Sequence, residues 1–391
     1  MTAVILAGGK GTRLYPTTIE IPKVLLKIGE KSVLEHQIFL LKRYRLKEIW
    51  ILAGYLGEKI REYIGEGKKW KVKINYCQEK KLLGTAGALT QLEGKIKTDF
   101  LVFSGDVMLD FDLGRLINFH KKKKGIATII VHPSDHPFDS DLVEVDKDWR
   151  IISLRRRPHP KGIIFRNLSI ASVFIFSPKI LKYIPKNKKT DFEKDILPKV
   201  LKAKEKIYAY STPEYIKDMG TPKRLREVRS DYVSGKIKKM NLQNKRKAIF
   251  LDRDGVVNEE VDQLSSIEDF KIYNYVAPAL REINRLDYLA ILVTNQPQIA
   301  KGFMTEGELD RIHKKLETEL AREGAKLDAI YYCPHHPEIG FEGERPELKI
   351  KCRCRKPGTG LFFQAKNDFN IDLAESYVIG DQTADILVGR R

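Results

Sequence analysis

Lys247-Ala248-Ile249-Phe250-Leu251-Asp252-Arg253-Asp254-Gly255 decides how this chain is to be read. Ala248 to Leu251 is an unbroken apolar run, as expected of a parallel-sheet strand buried on both faces. Two carboxylates, Asp252 and Asp254, follow where that strand must end, and Gly255 lets the chain turn sharply. Ligands of open α/β sheets bind at the carboxyl ends of strands, so this tip is a candidate active site. It also opens a second domain. The residues before it carry a complete set of α/β signals of their own.

The 391 residues suffice for two or three domains. The longest apolar runs, such as Ile126 to Val131, are far too short to span a bilayer. Met1 to Gly8 has no basic leader and no signal-peptide pattern, so a cytoplasmic protein with no membrane partner is expected. The formal net charge is +19, which raises nucleic acid as a partner. The lysines are scattered, and neither an RNA-stacking motif nor helix-turn-helix spacing accompanies them. A solvated basic surface that attracts phosphorylated small molecules accounts for the charge better. Of the four cysteines, Cys77 stands alone, while Cys333, Cys352 and Cys354 cluster with histidines. Without an export signal this favours a metal over disulfides.

Upstream, Thr2 to Ala7 reads as a buried strand running into Gly8-Gly9-Lys10-Gly11-Thr12-Arg13. Three glycines in four positions let backbone N–H groups converge on a phosphate, and the basic residues neutralise it. Pro22-Lys23 follows about ten residues later, before another apolar stretch. Val33 to Tyr44 has helical spacing, Glu48 to Ala53 reads as a strand, Glu58 to Ile64 as a helix and Ile74 to Gln78 as a strand. Leu83-Gly84-Thr85-Ala86-Gly87-Ala88 comes next, then the strand Phe100 to Phe103 ending in Ser104-Gly105-Asp106.

Taken together these motifs resemble the sugar-1-phosphate nucleotidyltransferases over residues 1–230. The resemblance implies that Gly8, Gly9, Gly11 and Thr12 cradle the phosphates, with Arg13 and Lys23 as catalytic cations. Gly84, Thr85 and Gln78 would contact the nucleoside. Asp106 and Asp218, the latter in Asp218-Met219-Gly220-Thr221-Pro222, would hold Mg²⁺, a hard cation that takes few protein ligands. The sugar side departs from the family: Arg156-Arg157-Pro158 stands where Glu-Lys-Pro is usual, and Ser169-Ile170-Ala171-Ser172 replaces the usual Asn-x-Gly segment. Arg157 stands where the lysine would bind phosphate, but Arg156 cannot accept hydrogen bonds from sugar hydroxyls. Glu193 and Lys194 in Phe192-Glu193-Lys194-Asp195 are further site candidates, and a plain helix start explains them nearly as well. The seam is expected near 240–246, giving domains 1–240 and 246–391.

Past the seam, Asp252-Arg253-Asp254-Gly255 resembles the first motif of the haloacid-dehalogenase phosphatases. Asp252 would be the nucleophile and Asp254 the proton donor and base. Thr294, at the end of the apolar strand Ala290 to Val293, would hold the phosphate. Lys356 would neutralise it. Asn295 and Arg355 would meet the substrate. Asp381, with Asp385 four residues on, follows the strand Tyr377 to Ile379. Asp252, Asp381 and the Asp254 carbonyl would share Mg²⁺. Cys333-Pro334-His335 with Cys352-Arg353-Cys354 makes a Cys₃His set, the closed tetrahedral choice for structural Zn²⁺. His336 is an alternative ligand to His335.

That cysteine set narrows the resemblance to the D-glycero-D-manno-heptose 1,7-bisphosphate phosphatases and their relatives, the histidinol-phosphate phosphatases. The expected architecture is α/β: two Rossmann-like three-layer domains. The first would have a nucleotide-diphospho-sugar transferase fold and the second a haloacid-dehalogenase-like fold with a zinc loop. The fusion decides between the phosphatases, because a bisphosphate cleaved at its distal carbon leaves the sugar 1-phosphate that a nucleotidyltransferase consumes. The expected partners are an NTP, with GTP favoured by likeness to heptose 1-phosphate guanylyltransferases, and sugar phosphates. The sequence leaves homo-oligomers open. Rival readings are a mannose- or glucose-1-phosphate nucleotidyltransferase fused to a histidinol-phosphate-like phosphatase, and a non-catalytic sugar-nucleotide sensor. The chain stops six residues past Asp385, where relatives continue, so a short second domain with weak or absent phosphatase activity is expected.

Overall fold

A computed structural model describes residues 1–79, 81–261 and 264–391. The chain divides into two compact units. The first takes Met1–Val131, Val143–Arg156 and Ile170–Asn241, and the second His132–Leu142, Arg157–Ser169 and Leu242–Arg391.

In the first unit, β1 (Thr2–Ala7) lies at the centre of the sheet because its apolar run can be covered on both faces. It is followed by α1 (Val33–Arg43), β2 (Glu48–Ala53), α2 (Gly57–Ile64), β3 (Lys73–Gln78), β4 (Phe100–Ser104), β5 (Val107–Asp110) and α3 (Leu113–Lys123). Further along come β6 (Ala127–His132), β7 (Leu142–Val145), β8 (Ile151–Arg155), β9 (Ser169–Phe176), β10 (Ile207–Ser211), β11 (Tyr215–Asp218) and α4 (Pro222–Val233). The sheet runs β8-β7-β9-β4-β1-β2-β3, with β6 pairing β9 and β10. β1 is parallel to β2 and β4, so the ends of all three strands open on one edge.

Local chemistry fixes the helices. α1 starts on a capping box, in which the Ser32 hydroxyl accepts from Glu35 N–H (3.2 Å) and Glu35 accepts from Ser32 N–H (2.9 Å). α3 ends at Lys124 in the left-handed region (φ 51°), and the preceding lysines face the negative end of the helix dipole. Phe103 and Phe111 meet edge to face at 6.3 Å in the core, worth about 0.5–1.5 kcal/mol beyond burial alone. β5 and β11 form a separate antiparallel ladder that sets Asp218 opposite Val107.

The second unit holds β12 (Ala248–Leu251), α5 (Val276–Arg285), β13 (Leu289–Asn295), α6 (Glu306–Arg322), β14 (Ala329–Cys333), α7 (Gly360–Phe369), β15 (Tyr377–Ile379) and α8 (Thr383–Gly389). Its parallel sheet runs β14-β13-β12-β15, so the strand opening the second domain is again central. β15 is the edge, with Tyr377 and Ile379 exposed. Phe165 is fully buried in this unit with Leu142 and Ala321, and its N–H donates to the Thr318 hydroxyl on α6 (2.9 Å). Arg166 ion-pairs Asp310 on the same helix (2.6 Å). Among the described residues no helix is long and apolar enough to cross a membrane.

Candidate active sites

The first unit has a cleft of about 370 Å³ over the ends of β1, β2 and β4. Gly8, Gly9, Gly11, Thr12 and Arg13 form one wall, and Lys23 and Asp106 face them. Asp106 sits on the turn after β4. That turn is held from below: Gln37 on α1 is fully buried and donates to the carbonyls of Ser104 (2.9 Å) and Val107 (2.8 Å). Gly105 packs against the Leu6 carbonyl, where a Cβ would approach to 2.6 Å, so a side chain there would push the turn off β1. Asp106 ion-pairs Lys23 and accepts from the Ser104 hydroxyl (2.6 Å). Burial opposes its ionisation, but Lys23 and Ser104 outweigh it and hold the Asp106 carboxyl below the usual range.

Asp218 lies one register step away, because its partner Val107 follows Asp106. Its carboxylate pairs with Arg224 and accepts from Gly220 N–H (2.9 Å). The Arg13 guanidinium lies against Gly220, in the space a Cβ would fill. Two carboxylates brought together by this ladder, each paired with a cation, suit a hard cation whose other ligands are phosphate oxygens.

Gly84 and Thr85 also line the cleft. Thr190 clamps their loop, its carbonyl accepting from Ala86 N–H (3.1 Å) and Gly87 N–H (3.3 Å) and its N–H donating to the Leu83 carbonyl (2.8 Å). Gln78, Glu193 and Lys194 do not line the cleft. Side chains alternate along a strand, so Gln78 turns away and gives its amide to the Gly54 carbonyl (3.0 Å). Its neighbour Glu79 faces in. Glu193 accepts from Ser172 (3.4 Å), and Lys194 N–H caps on Asp191 (3.0 Å), a helix start. Arg157 belongs to the second unit, where its N–H donates to Asp141 (3.1 Å) and its side chain to the Asp139 carbonyl.

In the second unit, Asp252 is buried at the tip of β12, and the Lys356 ammonium pairs with both Asp252 (2.7 Å) and Asp385 (2.6 Å). Burial pushes the Asp252 carboxyl up, against the opposing pull of Lys356. Four donors fix Asp254: two Arg253 nitrogens, Asn258 (3.1 Å) and Gln296 (2.8 Å). Gln296 also donates to the buried Thr294 hydroxyl (3.0 Å). Gly255 has φ +76°, and a Cβ there would strike the Asp381 carboxylate, so the turn needs glycine twice over.

Carboxylate oxygens of Asp252, Asp381 and Asp385 lie within 4.8 Å of one another, a donor set that fits a divalent cation. One ligand atom each from Cys333, His335, Cys352 and Cys354 also lies within 4.8 Å of the others. Sulfur–sulfur separations of 3.2–3.6 Å and His335 Nδ1 at 3.2 and 3.5 Å from two sulfurs suit tetrahedral Zn²⁺, whose ~2.3 Å Zn–S bonds place sulfurs just under 4 Å apart. His336 stands aside, edge-on to Phe341. Arg355 points at the His335 carbonyl (3.5 Å).

A nucleotidyl transferase family model matches residues 2–235, and a HAD-hydrolase-like model matches 353–391. The D-glycero-β-D-manno-heptose-1,7-bisphosphate 7-phosphatase of Haemophilus ducreyi is 42% identical over 143 residues, 36% of this chain and 76% of that protein. The α-anomer 7-phosphatase of Photorhabdus laumondii is 39% identical over 148 residues, 38% of this chain and 79% of that protein. The chain belongs to the nucleotidyl transferase family, and its C-terminal part to these 7-phosphatases. Among solved structures, HddC from Yersinia pseudotuberculosis complexed with GMP-PN is similar to this nucleotidyl transferase at 26% identity. Its TM-score is 0.50, covering 59% of this chain and 99% of HddC.

Three residues of this nucleotidyl transferase–phosphatase chain were given no role in the motif reading. Glu79 and Lys189 line the cleft, and Asp385 joins the second carboxylate set. Asp385 carried a signal: it is three residues past the Gln382 cap of α8, so its side chain turns back to Gln382 N–H (3.2 Å) and the strand tip. Lys189 carried none, since it lies in a polar loop held over the cleft by long-range bonds of Thr190, Asp191 and Phe192 to the Leu83–Gly87 loop.

Proposed function

We propose that this chain is a bifunctional enzyme of nucleotide-activated heptose synthesis. It removes the 7-phosphate of D-glycero-D-manno-heptose 1,7-bisphosphate and transfers a nucleotidyl group, from GTP, to the heptose 1-phosphate. The observation that carries this is the joining of the two sites in one chain. Relatives of the second unit cleave a heptose bisphosphate at C7, which leaves the 1-phosphate an NTP-dependent transferase uses. The guanine nucleotide in HddC supports GTP.

In the phosphatase, residues 246–391 in this reading and proposed as active in place of the weak activity expected from the sequence, Asp252 attacks the phosphorus and forms an aspartyl-phosphate. Asp254 gives its proton to the departing C7 oxygen and later takes one from the water that cleaves the intermediate. Lys356 and the Thr294 hydroxyl hold the phosphoryl oxygens. Asp252, Asp381 and Asp385 would hold Mg²⁺, which supplies charge neutralisation at those oxygens.

In the transferase, residues 1–240, the Gly8–Gly11 backbone holds the triphosphate. The sugar phosphate oxygen forms a bond to the α-phosphorus while the bond to the pyrophosphate oxygen breaks. Arg13 and Lys23 balance the charge that develops. Asp106 and Asp218 would hold Mg²⁺ there. The Cys₃His set would hold a structural Zn²⁺ that does no chemistry.

Mass spectrometry of products from heptose 1,7-bisphosphate and a mixture of NTPs tests this. A nucleoside diphosphate-heptose with released phosphate and pyrophosphate is expected. Absence of pyrophosphate release with heptose 1-phosphate and every NTP would sink the proposal.

A further inference from the structure

We propose that Lys189 binds the phosphate of the acceptor, a sugar 1-phosphate, and places it for attack on the α-phosphorus. The inference rests on the nucleotidyltransferase reading and deepens it.

The charge of the cleft comes first. Among the described residues, Arg13, Lys23 and Lys189 are the cations that line it. Lys23 pairs with Asp106, and Arg13 lies against Gly220. In this reading both serve the nucleotide and the departing pyrophosphate. The acceptor then brings a second phosphate, a dianion, against an α-phosphate that is already anionic. Like charges that close repel strongly in a half-enclosed cleft, so a further cation has to meet the incoming phosphate. Arg157, which the motif order offers for this phosphate, does not line the cleft and gives its side chain to the Asp139 carbonyl.

Lys189 has its charge to spare. It is exposed, and among the described residues its ammonium has no hydrogen bond or ion pair. Its backbone, by contrast, is fixed. Next to it, Thr190 N–H donates to the Leu83 carbonyl (2.8 Å), and the Thr190 carbonyl accepts from Ala86 N–H (3.1 Å). The Thr85 hydroxyl donates to Asp191 (2.8 Å) and accepts from Phe192 N–H (2.9 Å). Two glycines let the loops come this close. A Cβ on Gly84 would lie 2.5 Å from the Thr190 carbonyl oxygen, and one on Gly87 would lie 2.7 Å from that of Lys188. The result is a compact ammonium with three rotatable donors, on a flexible stem with an anchored base.

The loop also comes from a definite side. Phe192 is buried against Phe174 and Phe176 of β9, with ring centroids 4.9 and 4.6 Å away. β9 pairs antiparallel with β4 on the side of β4 away from β1. The glycine loop that cradles the triphosphate leaves the end of β1. Displacement at phosphorus sets the attacking and leaving oxygens roughly in line, so the acceptor enters opposite the pyrophosphate. Lys189 is carried over the cleft from that opposite side.

The test measures pyrophosphate release by the full chain and by Lys189→Ala, Lys189→Arg and Arg157→Ala, varying GTP and the sugar 1-phosphate separately. Equilibrium binding of GTP with Mg²⁺ and no sugar is measured alongside. Lys189→Ala should raise KM for heptose 1-phosphate about 10- to 100-fold, the loss of one charge-assisted contact. GTP affinity and melting temperature should stay as in wild type, and Lys189→Arg should recover most of the loss. The rise should be equal for every sugar 1-phosphate that wild type accepts, because the contact is to phosphate. An unchanged KM, an equal loss of GTP affinity, or a larger rise in Arg157→Ala would each overturn the role of Lys189 and leave nucleotidyl transfer standing. No pyrophosphate release by wild type with any sugar 1-phosphate would remove both.

Discussion

Asn295 and Lys356 exchange two hydrogen bonds: Asn295 Oδ1 accepts from Lys356 N–H (2.9 Å) and Nδ2 donates to the Lys356 carbonyl (3.2 Å). The end of β13 thereby fixes the backbone of the lysine whose ammonium sits between Asp252 and Asp385. Asn295→Leu keeps the volume and removes both bonds. Two backbone groups lose their partners, at about 1–3 kcal/mol each where water cannot replace the side chain. Phosphate release should fall about 10- to 100-fold through kcat, while pyrophosphate release by the transferase stays unchanged. Equal loss of both activities would show that Asn295 serves general folding.

The Cys₃His set makes a second prediction. It joins the end of β14 to the segment just before Arg355 and Lys356, so a metal there sets where Lys356 begins. Metal analysis should find about one zinc per chain. Cys354→Ala should lose it and lose phosphate release with it, leaving pyrophosphate release intact. Co²⁺ substitution should give the absorption of a tetrahedral thiolate site. Full phosphate release from a zinc-free chain would refute the structural role.

Much of this was legible because parallel strands buried on both faces read as apolar runs. β1 and β12 could be placed to the residue, and the side chains at their tips could be named. The Cys₃His cluster was legible from its spacing, with the family resemblance favouring His335 over His336. Gln78 and Glu79 show where that stops: they differ by one step along a strand, and one step flips the face. Which of them enters the cleft depends on where β3 pairs with β2. Arg157 was hard to place for a different reason, since its segment groups with the second unit. The segment carrying it packs with a helix 150 residues away in sequence, through Phe165 and Thr318, and no local pattern carries a contact of that range. Lys189 is reached through the bonds that Thr190, Asp191 and Phe192 make to the Leu83–Gly87 loop.

His313 on α6 gives a prediction in pH. It is fully buried beside Tyr332, with ring centroids 6.0 Å apart. Burial first, then the positive charges of Arg253 and Arg166, hold its pKa well below the ordinary value. A histidine that resists protonation when folded binds fewer protons in the native state than unfolded. Its contribution is therefore present above the unfolded pKa of about 6.5 and is lost as pH falls below it. Melting of the second unit should weaken between pH 7 and 5, with a slope approaching 1.4 kcal/mol per pH unit. His313→Leu should flatten that slope. An unchanged slope would mean other groups carry the acid sensitivity.

Lys23 and Asp106 make the last prediction, because each leaves the other exposed to a different loss. Lys23→Ala removes the cation that keeps Asp106 ionised and, in this reading, a charge that stabilises the departing pyrophosphate. It should lower kcat for pyrophosphate release about 10²- to 10³-fold. It should also cost stability, since the Asp106 carboxylate is left with the Ser104 hydroxyl and backbone alone. Asp106→Asn removes the carboxylate and keeps its shape. Its chemistry should fall as far, but the dependence of the residual rate on Mg²⁺ should shift to higher concentration, which Lys23→Ala should not do to the same degree. Titrating Mg²⁺ against the rate in both variants separates a metal-binding carboxylate from a mere partner of the lysine. Identical Mg²⁺ curves in wild type and Asp106→Asn would assign Asp106 to the second role.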